Sequence, residues 1–188
     1  MTPVDFLDAR KLGILGDCHI HPGKGLDWPA AVLRAVSKTE LIVTLGDMGE
    51  ADGLDRLASL APVIGVRGRD DAADPRTAAA LRVLQLGEVR IGCVFDPTEH
   101  GLASHADPFT PLAGWTAMAR ALFDGPIRVL LYASTHRANV AELDGILIVN
   151  PGSAVLPADG AAASFALLNV NDGRPEAEIV PIDGSRPV

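Results

Sequence analysis

Short apolar runs that stop at a glycine and then a polar or charged residue recur along this chain, and that punctuation limits the fold more than any other feature. Residues 12–15 lead into Gly16-Asp17, residues 41–45 into Gly46-Asp47, and residues 63–66 toward Gly68-Arg69. Apolar runs of this length bounded by turn formers read as buried strands. Between the first two, residues 28–36 have helical character, with Asp27 placed to cap and Pro29 in the first turn, where a missing N–H is tolerated. Between the second and third, Leu54, Leu57 and Ala58 share one helical face. The chain therefore opens β-α-β-α-β.

Further on, residues 89–95 and 128–132 read as strands on either side of a helix at 112–122, which Thr110 is placed to cap. Residues 96–111 form the longest predicted loop. Residues 145–149, 164–170 and 176–180 then follow as successive strands, with turns at Pro151-Gly152 and Asn171-Asp172-Gly173. They are expected to build a second sheet packed on the first. No repeat or linker divides the 188 residues, so one domain over 1–188 is expected. Aromatic residues make up only 4% against 48% hydrophobic, which predicts a core of Ala, Val, Leu and Ile.

A formal net charge of −8 argues against a surface that is broadly basic toward nucleic acid or anionic membrane. Acidic side chains gathered at one pocket would attract metal ions instead. Cys18 and Cys93 are the two cysteines and form no Cys-x-x-Cys pair, so neither a disulfide framework nor a zinc ribbon is indicated. The start of the chain lacks a basic segment followed by an apolar run, and no stretch is apolar enough to span a bilayer. A cytoplasmic protein is expected.

In open α/β sheets ligands bind beyond the carboxyl ends of the strands. Those positions carry Asp17-Cys18-His19, Asp47, Arg69-Asp70-Asp71 and Ser134-Thr135-His136. In an extended chain Asp17 and His19 would face one side and Cys18 the other. A carboxylate with an imidazole suits manganese, iron or zinc better than calcium or magnesium. One Asp-x-His is a weak signal, equally compatible with a turn bearing a solvated carboxylate. The ordered series of strand-end motifs is what raises it.

That series is Asp17-Cys18-His19, Gly46-Asp47, Gly68-Arg69-Asp70-Asp71, Phe95-Asp96, Ala133-Ser134-Thr135-His136 and Asn150-Pro151-Gly152-Ser153. It resembles the calcineurin-like metallophosphoesterases, in particular the small bacterial phosphodiesterase branch that includes the retromer scaffold subunit. The family pattern runs Asp-x-His, Gly-Asp, Gly-Asn-x-Asp, a His-Gly strand end, Gly-His-Thr-His and Asn-Pro-Gly-Ser. The resemblance implies an α/β fold of two packed mixed β-sheets flanked by helices, a four-layer αββα sandwich. It also implies one divalent transition metal, manganese, iron or zinc, on Asp17, His19, Asp47 and His136, or none if the site has lapsed. The family's second metal uses positions that here are Asp47, Arg69, Phe95 and Ser134, so three of its four ligands are replaced. Every departure falls on one metal.

The resemblance gives catalytic roles to Asp47 and His136, and the permanent charge of Arg69 makes it a third candidate. Arg69 is always protonated and could supply charge where the second cation would sit, pairing with Asp47, or it could point to solvent. Two functions follow. One is a phosphodiesterase or phosphomonoesterase of low activity acting on a phosphate ester. The other is a pseudoenzyme that keeps the fold as a scaffold for a protein partner. Asp17-Cys18-His19-Ile20-His21 also resembles the start of the PHP and amidohydrolase metallohydrolases, where His21 would be a ligand. Those folds need a longer chain and leave Gly46-Asp47 and Asn150-Pro151-Gly152-Ser153 without a role. His100 and His105, in the predicted loop, are candidates to replace a lost ligand. Cys18 and Cys93 are expected to be buried and inert, and Asn150 to Ser153 to form a tight turn supporting the site.

Overall fold

A computed structural model describes residues 2–182. Among these residues, thirteen strands and three helices follow one another in chain order. The first half contains β1 (Val4–Leu7), β2 (Lys11–Leu15), a single 3-10 turn at Pro22–Lys24, α1 (Ala30–Val36), β3 (Leu41–Thr44), α2 (Ala51–Ala58), β4 (Val63–Gly65), β5 (Leu81–Leu86) and β6 (Val89–Val94). The second contains β7 (Ala103–Ala106), β8 (Phe109–Pro111), α3 (Trp115–Leu122), β9 (Val129–Leu131), β10 (Ala138–Leu143), β11 (Ile146–Pro151), β12 (Ser164–Asn171) and β13 (Arg174–Pro181).

The strands form two mixed sheets and a hairpin. One sheet has the order β13-β12-β2-β3-β4, the other β1-β5-β6-β9-β11-β10, and β7 pairs with β8 alone. The predicted β-α-β-α-β opening is present as parallel β2, β3 and β4. The expected placement of the C-terminal strands needs correction. β12 pairs antiparallel with β2, setting Ala166 against Ile14 and Leu168 against Leu12, so β12 and β13 extend the first sheet. The second sheet is centred on parallel β6, β9 and β11.

Side-chain alternation along each strand assigns the layers. From the first sheet Leu12, Ile14, Leu41, Val43, Ala166 and Leu168 point inward; from the second Leu84, Ile91, Cys93, Val129, Leu131 and Val149 meet them. On the outer face of the first sheet Ile42 and Phe165 pack under Val32 and Val36 of α1 and Leu54 and Leu57 of α2. On the outer face of the second, Val83, Leu130 and Ile148 lie under Trp115, Ala119 and Phe123, with Phe109 of the hairpin. Helix, sheet, sheet and helix are thus stacked in four layers. The aliphatic core expected from composition holds between the sheets, where Phe95 is the aromatic member among the described residues. The other buried rings lie in the outer layers, where Gly92 makes room for one: a Cβ there would stand 2.7 Å from the Phe123 ring.

The helix at 112–122 starts later than expected. Gly114, with a left-handed φ of 76°, precedes it, and Thr110 lies in β8 rather than at its cap. The predicted loop at 96–111 contains the β7/β8 hairpin. Among the described residues no helix is long and apolar enough to cross a membrane.

Candidate metal centre

The carboxyl ends of β2, β3, β6, β9 and β11 open at one edge of the sandwich, and the loops that leave them are cross-linked by backbone hydrogen bonds. Asp17 N–H donates to Gly46 C=O at 3.0 Å, His19 N–H to Asp47 C=O at 2.9 Å, and Ala133 N–H to Phe95 C=O at 2.9 Å. Tight approach is built in. A Cβ on Gly68 would lie 2.1 Å from the Asp47 amide nitrogen, so only glycine lets the third loop close on the second. Asp71 completes that closure: its carboxylate accepts N–H bonds from Met48 and Gly68, each at 2.6 Å, and from Asp47 at 3.2 Å. Burial pushes the Asp71 carboxyl up, and the Gly68, Met48 and Gly49 N–H groups oppose the shift.

The four proposed ligands come to this edge, though not by the geometry expected. Asp17 and His19 are not in extended chain: their φ values are 52° and 48°. Asp47 and His136 are also left-handed at 51° and 55°, as is Ser134 at 73°. For residues with a Cβ this backbone is strained, and such strain concentrates at functional sites. The other non-glycine residues of this kind among those described are Asp124, Asp144 and Asp172, a residue type that tolerates the left-handed region.

Asp17 is fully buried and accepts N–H bonds from Ser134 at 3.1 Å and His136 at 2.9 Å. Burial raises its carboxyl against the pull of the His136 and Ser134 contacts. A cation beside it would favour the ionised form. His19 and His136 stack, with ring centroids 5.1 Å apart and planes inclined by 15°. Each ring has its Nδ1 engaged. His136 Nδ1 donates to Leu156 C=O at 2.5 Å, and His19 Nδ1 to Asp70 Oδ2 at 2.7 Å. Because a carbonyl and a carboxylate only accept, both Nδ1 atoms carry the proton and both Nε2 atoms present a lone pair when the rings are neutral. His19 Nε2 lies 3.8 Å from Asp47 Oδ2, beyond hydrogen-bond range. Asp47 Oδ1 accepts the Asp70 N–H at 2.7 Å.

Two carboxylates and two imidazoles with pinned Nδ1 atoms make up the donor set and outer contacts that transition metals use. The residues fit a divalent metal in kind. Among the described residues, no three histidine, cysteine, aspartate or glutamate side chains already stand at a spacing that would hold one.

Arg69 departs from expectation. It does not pair with Asp47. Its Nη2 donates to Asp96 Oδ2 at 2.9 Å and to Glu99, its Nε donates to Glu99 Oε1 at 3.1 Å, and its guanidinium carbon lies 5.3 Å from the centre of the Phe95 ring. Asp47 is already bonded to the Asp70 N–H on the near side of the loop, so the long Arg69 stem reaches across Phe95 to the carboxylates beyond. Hydrogen bonds that the guanidinium donates to Glu99, and then to Asp96, hold its pKa above its usual value. Phe95 is buried, follows β6 directly, and packs toward Gly46, where a Cβ would come within 2.6 Å of its ring.

His21 bonds Glu50 at 3.1 Å and Asp70 at 3.2 Å, and those contacts raise its pKa. Asp70 is held low by His19 and then His21. Sequence reading gave no role to Asp70 or Leu156. His105 is exposed on β7, outside the second sheet, and His100 lies in the turn beside Glu99. The hydrogen bonds among the described residues set neither against Asp17, His19, Asp47 or His136. Cys18 and Cys93 are fully buried, and burial pushes both thiols up to about 12.

A four-layer sandwich of this kind, with two carboxylates and two imidazoles brought to one strand-end edge, suits a metal-dependent hydrolase. Residues 11–173 match the family model described as the calcineurin-like phosphoesterase superfamily domain, and the chain belongs to that superfamily. It is 27% identical over 173 residues to a probable metallophosphoesterase of Methanocaldococcus jannaschii, covering 92% of this chain and 81% of the relative. Its fold is similar to Vps29 of Chaetomium thermophilum, at 23% identity and a TM-score of 0.68, with 93% and 97% of the two chains covered. It is likewise similar to Vps29 of Entamoeba histolytica in complex with zinc, at 22% identity and a TM-score of 0.66, with 91% and 98% covered.

Proposed function

We propose that this chain hydrolyses a phosphodiester or phosphomonoester slowly, using one manganese, iron or zinc ion on Asp17, His19, Asp47 and His136, with Arg69 in place of a second cation. The observation that carries this reading is the pair of stacked histidines whose Nδ1 atoms are occupied by Leu156 C=O and Asp70 while His19 Nε2 stays available beside Asp47. The zinc-complexed Vps29 supports a metal for this fold. A bound ion of this type polarises a phosphoryl oxygen and lowers the pKa of a water molecule.

The protein's own part is positioning and charge. Asp70 and Leu156 keep the imidazoles in the tautomer that leaves Nε2 a donor of electrons. Asp71 fixes the loop carrying Asp47 to the loop carrying Arg69. Arg69 is permanently protonated, its side chain is 60% exposed, and its planar fork suits an ester's anionic oxygens. To reach them it must share or leave Glu99. A two-metal site clamps the attacking and leaving oxygens with ions about 3.5–4 Å apart, and one ion with a guanidinium lacks that symmetry; turnover is therefore low.

One observation favours a second reading, a pseudoenzyme that keeps the fold for binding a protein. Arg69 is neutralised by both Asp96 and Glu99. Metal content of the purified protein and hydrolysis of an aryl phosphodiester with added manganese separate the two. The enzymatic reading expects one equivalent and chelator-sensitive turnover. Stoichiometric metal with no turnover, unrescued by Arg69→Asn with Phe95→His and Ser134→His, leaves the binding reading alone.

A further inference from the structure

The Asn150-Pro151-Gly152-Ser153 segment contributes no candidate ligand, yet its last residue touches both ends of the chain that build the site. Ser153 is fully buried. Its hydroxyl donates to Asp17 C=O at 2.6 Å and accepts the N–H of Leu156 at 2.8 Å and of Val155 at 3.2 Å. The turn shaped by those two N–H bonds is the one whose Leu156 C=O receives the His136 Nδ1 proton. Two residues later Ala158 N–H donates to His136 C=O at 3.0 Å, so the segment grips His136 at its ring and at its backbone. Asn150 steadies the other side: its amide donates to Ala133 C=O at 3.2 Å and to Thr135 Oγ1 at 3.0 Å, within the turn that carries His136.

We propose that Ser153 is a positioning residue that selects the Nδ1–H tautomer of His136, by holding the Leu156 carbonyl against it while anchored to the Asp17 backbone. A single hydroxyl thereby links two candidate ligands 119 positions apart in sequence. Outer contacts of this kind set which ring nitrogen is free to bind. The role rests on the metal-site reading above only for its consequence; the tautomer itself is a property of the metal-free chain.

Nitrogen-15 NMR of the metal-free protein reads the tautomer directly. In the wild type His136 is expected as the Nδ1–H form. In Ser153→Ala it is expected to become a mixture, with backbone amide spectra otherwise native, and affinity for zinc measured by competition is expected to fall about 10–100-fold. Ser153→Thr, which restores a hydroxyl, is expected to recover both readings. A folded Ser153→Ala protein in which His136 stays Nδ1–H overturns the proposal, as does full zinc affinity. Should Ser153→Ala not fold, the wild type still decides: an Nε2–H tautomer at His136 overturns it. If the tautomer shifts as expected but no variant binds zinc, the metal-site reading fails while the positioning role stands.

Discussion

At the strand-end edge, Asp17, His19, Asp47 and His136 are held by main-chain N–H groups and by contacts to the far side of each imidazole, which leaves electron pairs unspent. At the neighbouring positions Arg69 is paired with Asp96 and Glu99, Phe95 is packed into the inter-sheet core, and Ser134 contributes its backbone to Asp17. One half offers acceptors to something from outside; the other has satisfied its needs within the protein. On the reading proposed above, an edge built by a single set of strand ends would keep one binding corner and close another without altering the sheets beneath.

His136→Ala strikes the first half hardest. Metal content and aryl phosphodiester hydrolysis are expected to fall by more than about a hundredfold, beyond the 10–100-fold loss typical of outer contacts. Retained stoichiometric metal would break the comparison at once. The opposite change, Arg69→Asn with Phe95→His and Ser134→His, is expected to raise bound manganese from one to two equivalents by elemental analysis. Continued binding of a single ion would mean that the second corner is closed by more than these three side chains.

The strand ends and their polar residues were legible because buried parallel strands read as continuous apolar runs, and Gly46-Asp47 or Gly68 punctuates them. β1, β5 and β10 lack that signal. Asp5 interrupts the first, Arg82 and Gln85 break the second, and the third is a half-exposed edge strand. Assigning β12 and β13 to a sheet required their pairing partner, which no local pattern gives. At the site, motif order brought forward the four candidate donors, but it did not give their left-handed backbone. Nor did it give the partner of Arg69, since a long side chain chooses among carboxylates that only tertiary structure brings near. Leu156 acts through its carbonyl, which any residue possesses, so its identity carries no trace of the task.

Smaller perturbations sharpen the contrast. Asp70→Ala removes the acceptor from His19 Nδ1 and is expected to weaken metal binding about 10–100-fold by competition titration. Glu99→Gln loosens Arg69 from a pair in which both side chains are more than half exposed, so stability is expected to change by under about 1 kcal/mol in denaturant melts. Its KM for a phosphate ester is expected to fall as Arg69 is left with Asp96 as its remaining anionic partner; an unchanged KM would mean that Asp96 alone holds Arg69 from the ester or that Arg69 stands outside the reaction.

The least effect is expected beneath the two halves. Cys18 lies between Asp17 and His19, and Cys93 two residues before Phe95, so each thiol reports on one half. Both are expected to resist thiol reagents at pH 8 in the folded protein and to react on unfolding. Faster labelling of Cys93 would mean that the closed corner opens more readily. Because burial raises both thiols from 9.0 to about 12, they favour the folded state below pH 9, and that contribution is expected to decline progressively toward pH 12 in denaturant titrations.

The left-handed backbone at Asp17, His19, Asp47, Ser134 and His136 bears on how this protein would change under selection for heat tolerance alone. Glycine escapes a strain of about 1–2 kcal/mol at such a position, so lineages screened for survival at high temperature and never for turnover would gain where the side chain holds little else, at Ser134 before Asp17 and Asp47, whose carboxylates hold main-chain N–H groups. The change would begin at this edge, with the sandwich around it intact. An ancestor tuned to keep its chemistry, and a descendant tuned only to endure, would then share a fold and differ chiefly at these few points.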